Sequence, residues 1–241
     1  MQSPNEPSYP PPIPAPDSPT TNNFIPPPGP ARVNLDVVGR AWEVLKSNLG
    51  LWVAAFLIYL VITFGISMLF SMLSGNDSRS TPNMPIMLIG NLIQFVIGQL
   101  LMGGLYRMAI NQVRGGTPEF SDLFSVTDVL PALLIAAILT SLATFAGFLF
   151  CIIPGLLIAS LLMFTIPLVV DKRMDAITAM TASIDALKPQ MGMALVFTLV
   201  IGILAGAGAL LCGVGLLITG PLALLSIALL YRDFFPEPSP I

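Results

Sequence analysis

Four charge-free stretches dominate the pattern of the chain. Lys46 to Asp77 encloses 30 uncharged residues, Arg79 to Arg107 encloses 27, Asp128 to Asp171 encloses 42 and Lys188 to Arg232 encloses 43. A helix needs about 20 mostly apolar residues to cross a ~30 Å hydrocarbon core. The first two stretches therefore hold one span each, and the last two hold a pair. Each pair has a Gly/Pro breaker near its middle, Cys151-Ile152-Ile153-Pro154-Gly155 in one and Leu211-Cys212-Gly213-Val214-Gly215 in the other. The pattern predicts an all-α polytopic membrane protein with six spans, near 49–73, 86–106, 129–151, 155–170, 191–211 and 214–231, arranged as three hairpins.

Between the apolar stretches the period changes to that of one-faced helices. Leu35, Val38, Trp42, Leu45 and Leu49 recur every three or four residues, with Asn34 placed to cap and Asp36 and Arg40 as an i,i+4 pair opposite. Met174, Ile177, Met180, Ile184 and Leu187 form a second stripe. A third, shorter one starts at Thr117-Pro118-Glu119 and runs through Phe120, Leu123 and Phe124. Each precedes a pair of spans, so three units of amphipathic interfacial helix plus hairpin are expected. Glu43-Val44-Leu45-Lys46 with Gly50 matches Asp185-Ala186-Leu187-Lys188 with Gly192, and Leu105-Tyr106-Arg107 matches Leu230-Tyr231-Arg232. These matches point to a parallel internal repeat.

Composition narrows the class. Apolar residues make up 55% and charged residues 10%, against about a quarter charged in an ordinary soluble domain. The chain has no histidine, which removes histidine catalysis and histidine metal ligation. A net charge of −3 without a basic run excludes nucleic acid as a partner, and two cysteines exclude a disulfide scaffold. Nine of the ten Lys and Arg residues fall on one face of an alternating six-span arrangement, only Arg79 on the other. The positive-inside rule places that face, and both termini, in the cytoplasm of a bacterial inner membrane. Residues 1–30 hold no basic residue and no apolar run, so the first span is expected to act as an uncleaved anchor.

Twelve of the 23 prolines lie within residues 1–30. That density rules out packed helix or interior strand and favours polyproline II. Residues 1–33 therefore read as a disordered proline-rich tail: a simple tether, or an arm for a proline-recognising cytoplasmic protein through the spacings Pro4/Pro7, Pro7/Pro10 and Pro11/Pro14. Residues 34–233 form the membrane domain, and 234–241 a short disordered tail.

A set of short motifs carries a resemblance. They are Trp42-x-x-Leu45-Lys46-x-Asn48; Gly115-x-x-Pro118-x-Phe120-x-Asp122-Leu123-Phe124; Ile152-Ile153-Pro154-Gly155; Pro167-Leu168-Val169-Val170-Asp171; and Ala179-x-x-x-Ser183. In this order the chain resembles six-span bacterial membrane proteins related to the membrane domain of glycerophosphoryl diester phosphodiesterases. The resemblance covers roughly residues 34–232 and implies topology rather than activity. Hydrolysis in the fused enzymes belongs to a separate soluble domain.

Candidate chemistry is sparse. No ionisable residue falls inside a predicted span, which argues against a buried proton relay. The second span carries Asn91, Gln94 and Gln99; Asn91, Gln94 and Gly98 share a face that either bonds across helices or lines a substrate path. Thr140 and Thr144 in the third span, and Thr198, Gly202 and Gly206 in the fifth, form small-residue stripes. These are read as helix-packing faces within the molecule, the alternative being a homodimer seam. Pro167 and Pro221 are expected to kink the fourth and sixth spans. Cys151 and Cys212 fall at outer turns, where an oxidising exterior would permit a bridge. No nucleophile–base pair, metal set or cofactor motif is visible. The expectation is a non-enzymatic assembly or interaction component in contact with the lipid bilayer, with a small-molecule or lipid transporter as the alternative. Its partners would be a proline-recognising protein or further copies of itself.

Overall fold

A computed structural model of the chain describes residues 31–74, 83–210 and 215–236. Cys212, the segment 1–30 and the last five residues lie outside the described residues, so the readings placed on them are not addressed. All the described secondary structure is helical. Helix α1 spans Asp36–Ser47, α2 Leu49–Leu73, α3 Met84–Val113, α4 Leu130–Phe150, α5 Ile152–Leu161, α6 Thr165–Lys172, α7 Ala176–Leu187, α8 Met191–Leu210 and α9 Leu216–Phe234. Six helical segments are long and apolar enough to cross a membrane: 49–73, 84–113, 120–150, 152–172, 176–210 and 216–234.

The second span runs further than the sequence predicts, continuing past Arg107 to Val113. Its extra two turns bury Met108, Ala109, Ile110 and Val113, and Gln112 there accepts from the Trp52 indole. The fourth span is broken rather than kinked. Pro167 has no N–H and its ring crowds the carbonyl four residues back, and the chain leaves helical geometry over 162–164 between α5 and α6. Ser183 of α7 repairs the gap: its hydroxyl accepts from Phe164 N–H at 3.2 Å and donates to the Leu161 carbonyl at 2.6 Å. Freed backbone groups in a span need such partners, because lipid offers none. Pro221 is accommodated inside an unbroken α9.

Charged residues gather at one end of the bundle. There α1 packs on α9, and α3 packs on α6 and α9. Buried side chains concentrate in the same half: Trp52, Ala55 and Phe56 of α2, Leu101 to Val113 of α3, Leu133 to Ala137 of α4, Phe164 to Val170 of α6, and Leu222 to Tyr231 of α9. Toward the opposite end Phe64, Leu73, Leu88, Leu149 and Leu210 are exposed.

The amphipathic stripes are turned from their expected positions. On α1 the inward face is Val37, Ala41 and Leu45, while Leu35, Trp42 and Leu49 stay exposed. On α7 it is Ala176, Ala179, Ser183 and Leu187, with Ile177 exposed. The third element is a 3-10 turn, Phe120–Phe124, capped by Glu119 and Asp122, not a helix capped at Thr117; it buries Leu123 and exposes Phe120 and Phe124. The reason is steric. The small Ala41, Ala176, Ala179 and Ser183 allow close approach to neighbouring helices, with Leu45 and Leu187 kept inside from the expected stripes. Arg40 likewise reaches Asp233 of α9 at 2.9 Å, not its expected partner Asp36. At the start of α7, Asp175 accepts from Thr178 N–H at 3.0 Å, and the Thr178 bonds hold its carboxyl below the usual carboxylate range.

Two glycine pairs close the helix contacts. A Cβ on Gly147 of α4 would stand 2.8 Å from Gly155 Cα of α5, and one on Gly215 would stand 2.6 Å from the Gly208 carbonyl of α8. The expected glycine face of α8 is not among them. Gly202 and Gly206 are exposed, with nothing within 4 Å of where a Cβ would stand. Helix α8 packs on α9 through Gly208 instead, so the intramolecular reading of Gly202 and Gly206 is corrected. Thr198 is half-buried with its hydroxyl unpartnered among the described residues. Thr140 turns its hydroxyl onto the Ala136 carbonyl of its own helix at 2.7 Å, and Thr144 is half-buried. Cys151, between α4 and α5, is a free and exposed thiol.

Candidate functional site

Asn91, Gln94 and Gln99 are brought together with residues of α2. They line a cleft of about 650 Å³ with Tyr59, Leu60, Thr63, Phe95, Gly98 and Met102. Helical spacing explains the grouping: positions 91, 94 and 98 lie along one stripe of α3, and Gln99 flanks it. Gly98 has no neighbour within 4 Å of where a Cβ would stand, which leaves the wall of the cleft low there. Along α3 the amides extend over about 12 Å at 1.5 Å per residue. On α2, Tyr59 and Thr63 bracket the midpoint of the Leu49–Leu73 helix. Asn91 is exposed and the two glutamines are half-buried. None of the three amides has a hydrogen-bond partner among the described residues. Thr63 turns its hydroxyl back onto the Tyr59 carbonyl at 2.8 Å. The cleft thus presents uncharged donors and acceptors at mid-helix. It holds no carboxylate, thiol or amine.

Toward the charged end the cleft is closed. Leu101 and Leu105 are buried, and the Trp52 indole donates to Gln112 Oε1 at 2.6 Å. Gln112 Nε2 donates in turn to the Val44 carbonyl at 3.0 Å, joining α1, α2 and α3. Beside this lies a half-buried ion cluster that sequence reasoning passed over. Arg114 grips Asp171 with both terminal nitrogens, one of them at 2.8 Å. Tyr231 donates its hydroxyl to Asp171 at 2.6 Å. Arg232 donates to the Val113 carbonyl and pairs with Asp233, which also takes Arg40. Phe164 and Phe235 pack on the Tyr231 ring with centroids 5.9 and 5.2 Å away. Four helices are thereby tied at one level. The signal was present in the repeated Leu-Tyr-Arg and in Asp171, but nothing in their spacing says that they meet.

Six long apolar helices and so few charges make the chain a multi-pass membrane protein. It is similar to the uncharacterized protein Rv2560 of Mycobacterium tuberculosis, at 28% identity over 147 residues covering 61% of this chain. The uncharacterized protein Mb2590 of Mycobacterium bovis matches to the same extent. The chain spans about half the length of these relatives, 45% of each. No protein family and no solved structure matches. Among the described residues, no group of three His, Cys, Asp or Glu side chains could hold a metal ion.

Proposed function

We propose that this chain is a non-enzymatic protein of a bacterial inner membrane that works by assembling with another membrane-embedded chain through the α2–α3 cleft. The observation that carries this reading is the set of unpartnered amides at mid-helix. A polar group left unpaired in hydrocarbon costs several kcal/mol, whereas amides bonded across helices are a common means of association between spans. An enzymatic role is disfavoured because the lining hydroxyls, Tyr59 and Thr63, have no carboxylate, thiol or amine beside them in the cleft to activate them. In this reading the spans form three hairpins, with the charged end and both termini in the cytoplasm, as the nine-to-one distribution of Lys and Arg supports. The exposed Leu35, Trp42, Phe120, Phe124 and Ile177 rest in the lipid interface, and the proline-rich segment serves as a cytoplasmic tether or arm. The motif resemblance to the membrane domain of glycerophosphoryl diester phosphodiesterases supports the same topology.

A photo-crosslinking residue in place of Gln94, activated in intact membranes, tests the proposal. A protein adduct is expected; adducts with lipid alone would contradict it. One observation favours a second reading. Transporters hold substrates near the bilayer midplane, and this cleft lies there in an uncharged form suited to a neutral small molecule. Uptake of neutral solutes by the purified protein in liposomes, abolished by Gln94→Leu, would establish that reading instead.

A further inference from the structure

We infer that the helical domain closes into a ring of three like units, and that residues 31–47 are the clasp that joins the first unit to the third and the joint at which the ring opens. The inference does not depend on what the α2–α3 cleft holds.

The register that matches Glu43-Val44-Leu45-Lys46 to Asp185-Ala186-Leu187-Lys188 carries over to burial. In that register Val37, Ala41 and Leu45 of α1 fall on Ala179, Ser183 and Leu187 of α7. Trp52 and Ala55 of α2 likewise fall on Ala194 and Phe197 of α8. All of these residues are 0% exposed. A chance match of four residues has no reason to bring two buried faces into step.

The order of packing repeats as well. The Phe120–Phe124 turn packs on α3, and α7 packs on α6, each a short connection beyond the helix it rests on. The span that follows each one keeps to the preceding unit, α4 against α3 and α8 against α5. The first unit obeys the same order only if the third precedes it, for α1 and α2 both pack on α9. At the centre α3 meets α6 and α9, and Tyr231 of α9 reaches Asp171 of α6.

Two of the three joints are thus held by the chain itself, and the third is not. Arg40 and Asp233, 193 residues apart in sequence, meet there at 2.9 Å. Gln190, in the turn between α7 and α8, grips the start of the clasp with both ends of its amide. Its Nε2 donates to the Ala31 carbonyl at 2.8 Å, and its Oε1 accepts from Val33 N–H at 2.9 Å. A contact that closes so long a loop rests wholly on such bonds and on burial. Weakening them should release α1 locally, with the rest of the ring intact.

The test uses the full chain in membranes, with Cys151→Ser and Cys212→Ser removing the native thiols. Ala41→Cys places a thiol on the inward face of α1, and Ala179→Cys places one on the inward face of α7. Gln190→Leu removes both bonds to residues 31–33. It should speed N-ethylmaleimide labelling at position 41 about tenfold, for two hydrogen bonds within their usual net range, and leave position 179 unchanged. Arg40→Ala, on the clasp itself, should act in the same sense. Equal acceleration at both positions, or none at position 41, overturns the inference. Hydrogen exchange in nanodiscs reads the same joint without new thiols. In Gln190→Leu the α1 amides should exchange faster than in wild type while those of α7 hold, and unchanged or uniformly faster exchange contradicts the clasp.

Discussion

At the scale of single residues, Asp171 has the most to lose. It accepts from Arg114 and Tyr231 at once, and its side chain is 10% exposed. Breaking a half-buried pair costs less than the ~3–5 kcal/mol of a fully buried one and more than the ~1 kcal/mol of an exposed one, about 1–3 kcal/mol. Asp171→Ala should therefore lower thermal stability in detergent by that order, and Tyr231→Phe by less, since the ion pair survives. Equal melting of Asp171→Ala and wild type would show that the cluster contributes nothing. The glycines divide just as sharply. Gly147→Val forces α4 away from Gly155 and should cost about 1–3 kcal/mol through overpacking. Gly206→Leu points into open space and should change the stability of the monomer by no more than about 0.5 kcal/mol. Melting curves of the two variants check both statements. A GxxxG motif is legible in sequence, but which glycine meets a backbone depends on where the chain turns. The pairs that do meet lie on either side of a turn.

At the scale of elements, the boundaries of α2, α4 and α8 agree closely with the expected spans, because the ends of the charge-free runs and the Gly/Pro breakers within them set them. The break between α5 and α6 was visible only as Pro167. The hydroxyl that bridges it comes from Ser183, which a reading by periodicity treats as one polar position among others. Ser183→Ala orphans the Phe164 amide and the Leu161 carbonyl, and should destabilise by about 1–3 kcal/mol. Ser183→Thr, which keeps the hydroxyl, should recover part of that in the same thermal assay, whereas identical melting of both variants would contradict the bridging role. The stripes on α1 and α7 were legible as stripes but not as faces. In the proposed topology α1 lies at a membrane surface, where both of its faces have an apolar neighbour, and the small Ala41, Ala179 and Ser183 turn inward beside Leu45 and Leu187. Trp42, 39% exposed, and the wholly buried Trp52 are the only tryptophans, which makes this testable. In a Trp52→Phe protein reconstituted with brominated lipids, Trp42 fluorescence should be quenched most strongly by bromines near the headgroups. No quenching at any depth would place α1 off the membrane.

For the whole molecule, the number of apolar helices was readable from charge spacing, whereas the concentration of buried side chains at the charged end was not. That asymmetry comes from long-range contacts: Arg114 with Asp171, Arg40 with Asp233, and Trp52 with Gln112. Each joins residues that periodicity treats separately. The amides of α3 were visible in sequence, but their want of partners became apparent only once Tyr59 and Thr63 stood opposite. In the proposed topology, with the charged end in the cytoplasm, the cleft stands near the middle of the bilayer. Topology reporters fused after residues 78 and 115 test this most directly. The chain should place the fusion at 115 in the cytoplasm and the fusion at 78 outside. A fusion at 115 reporting from outside would invert the molecule, and both fusions reporting from the same side would mean that α3 does not cross the membrane.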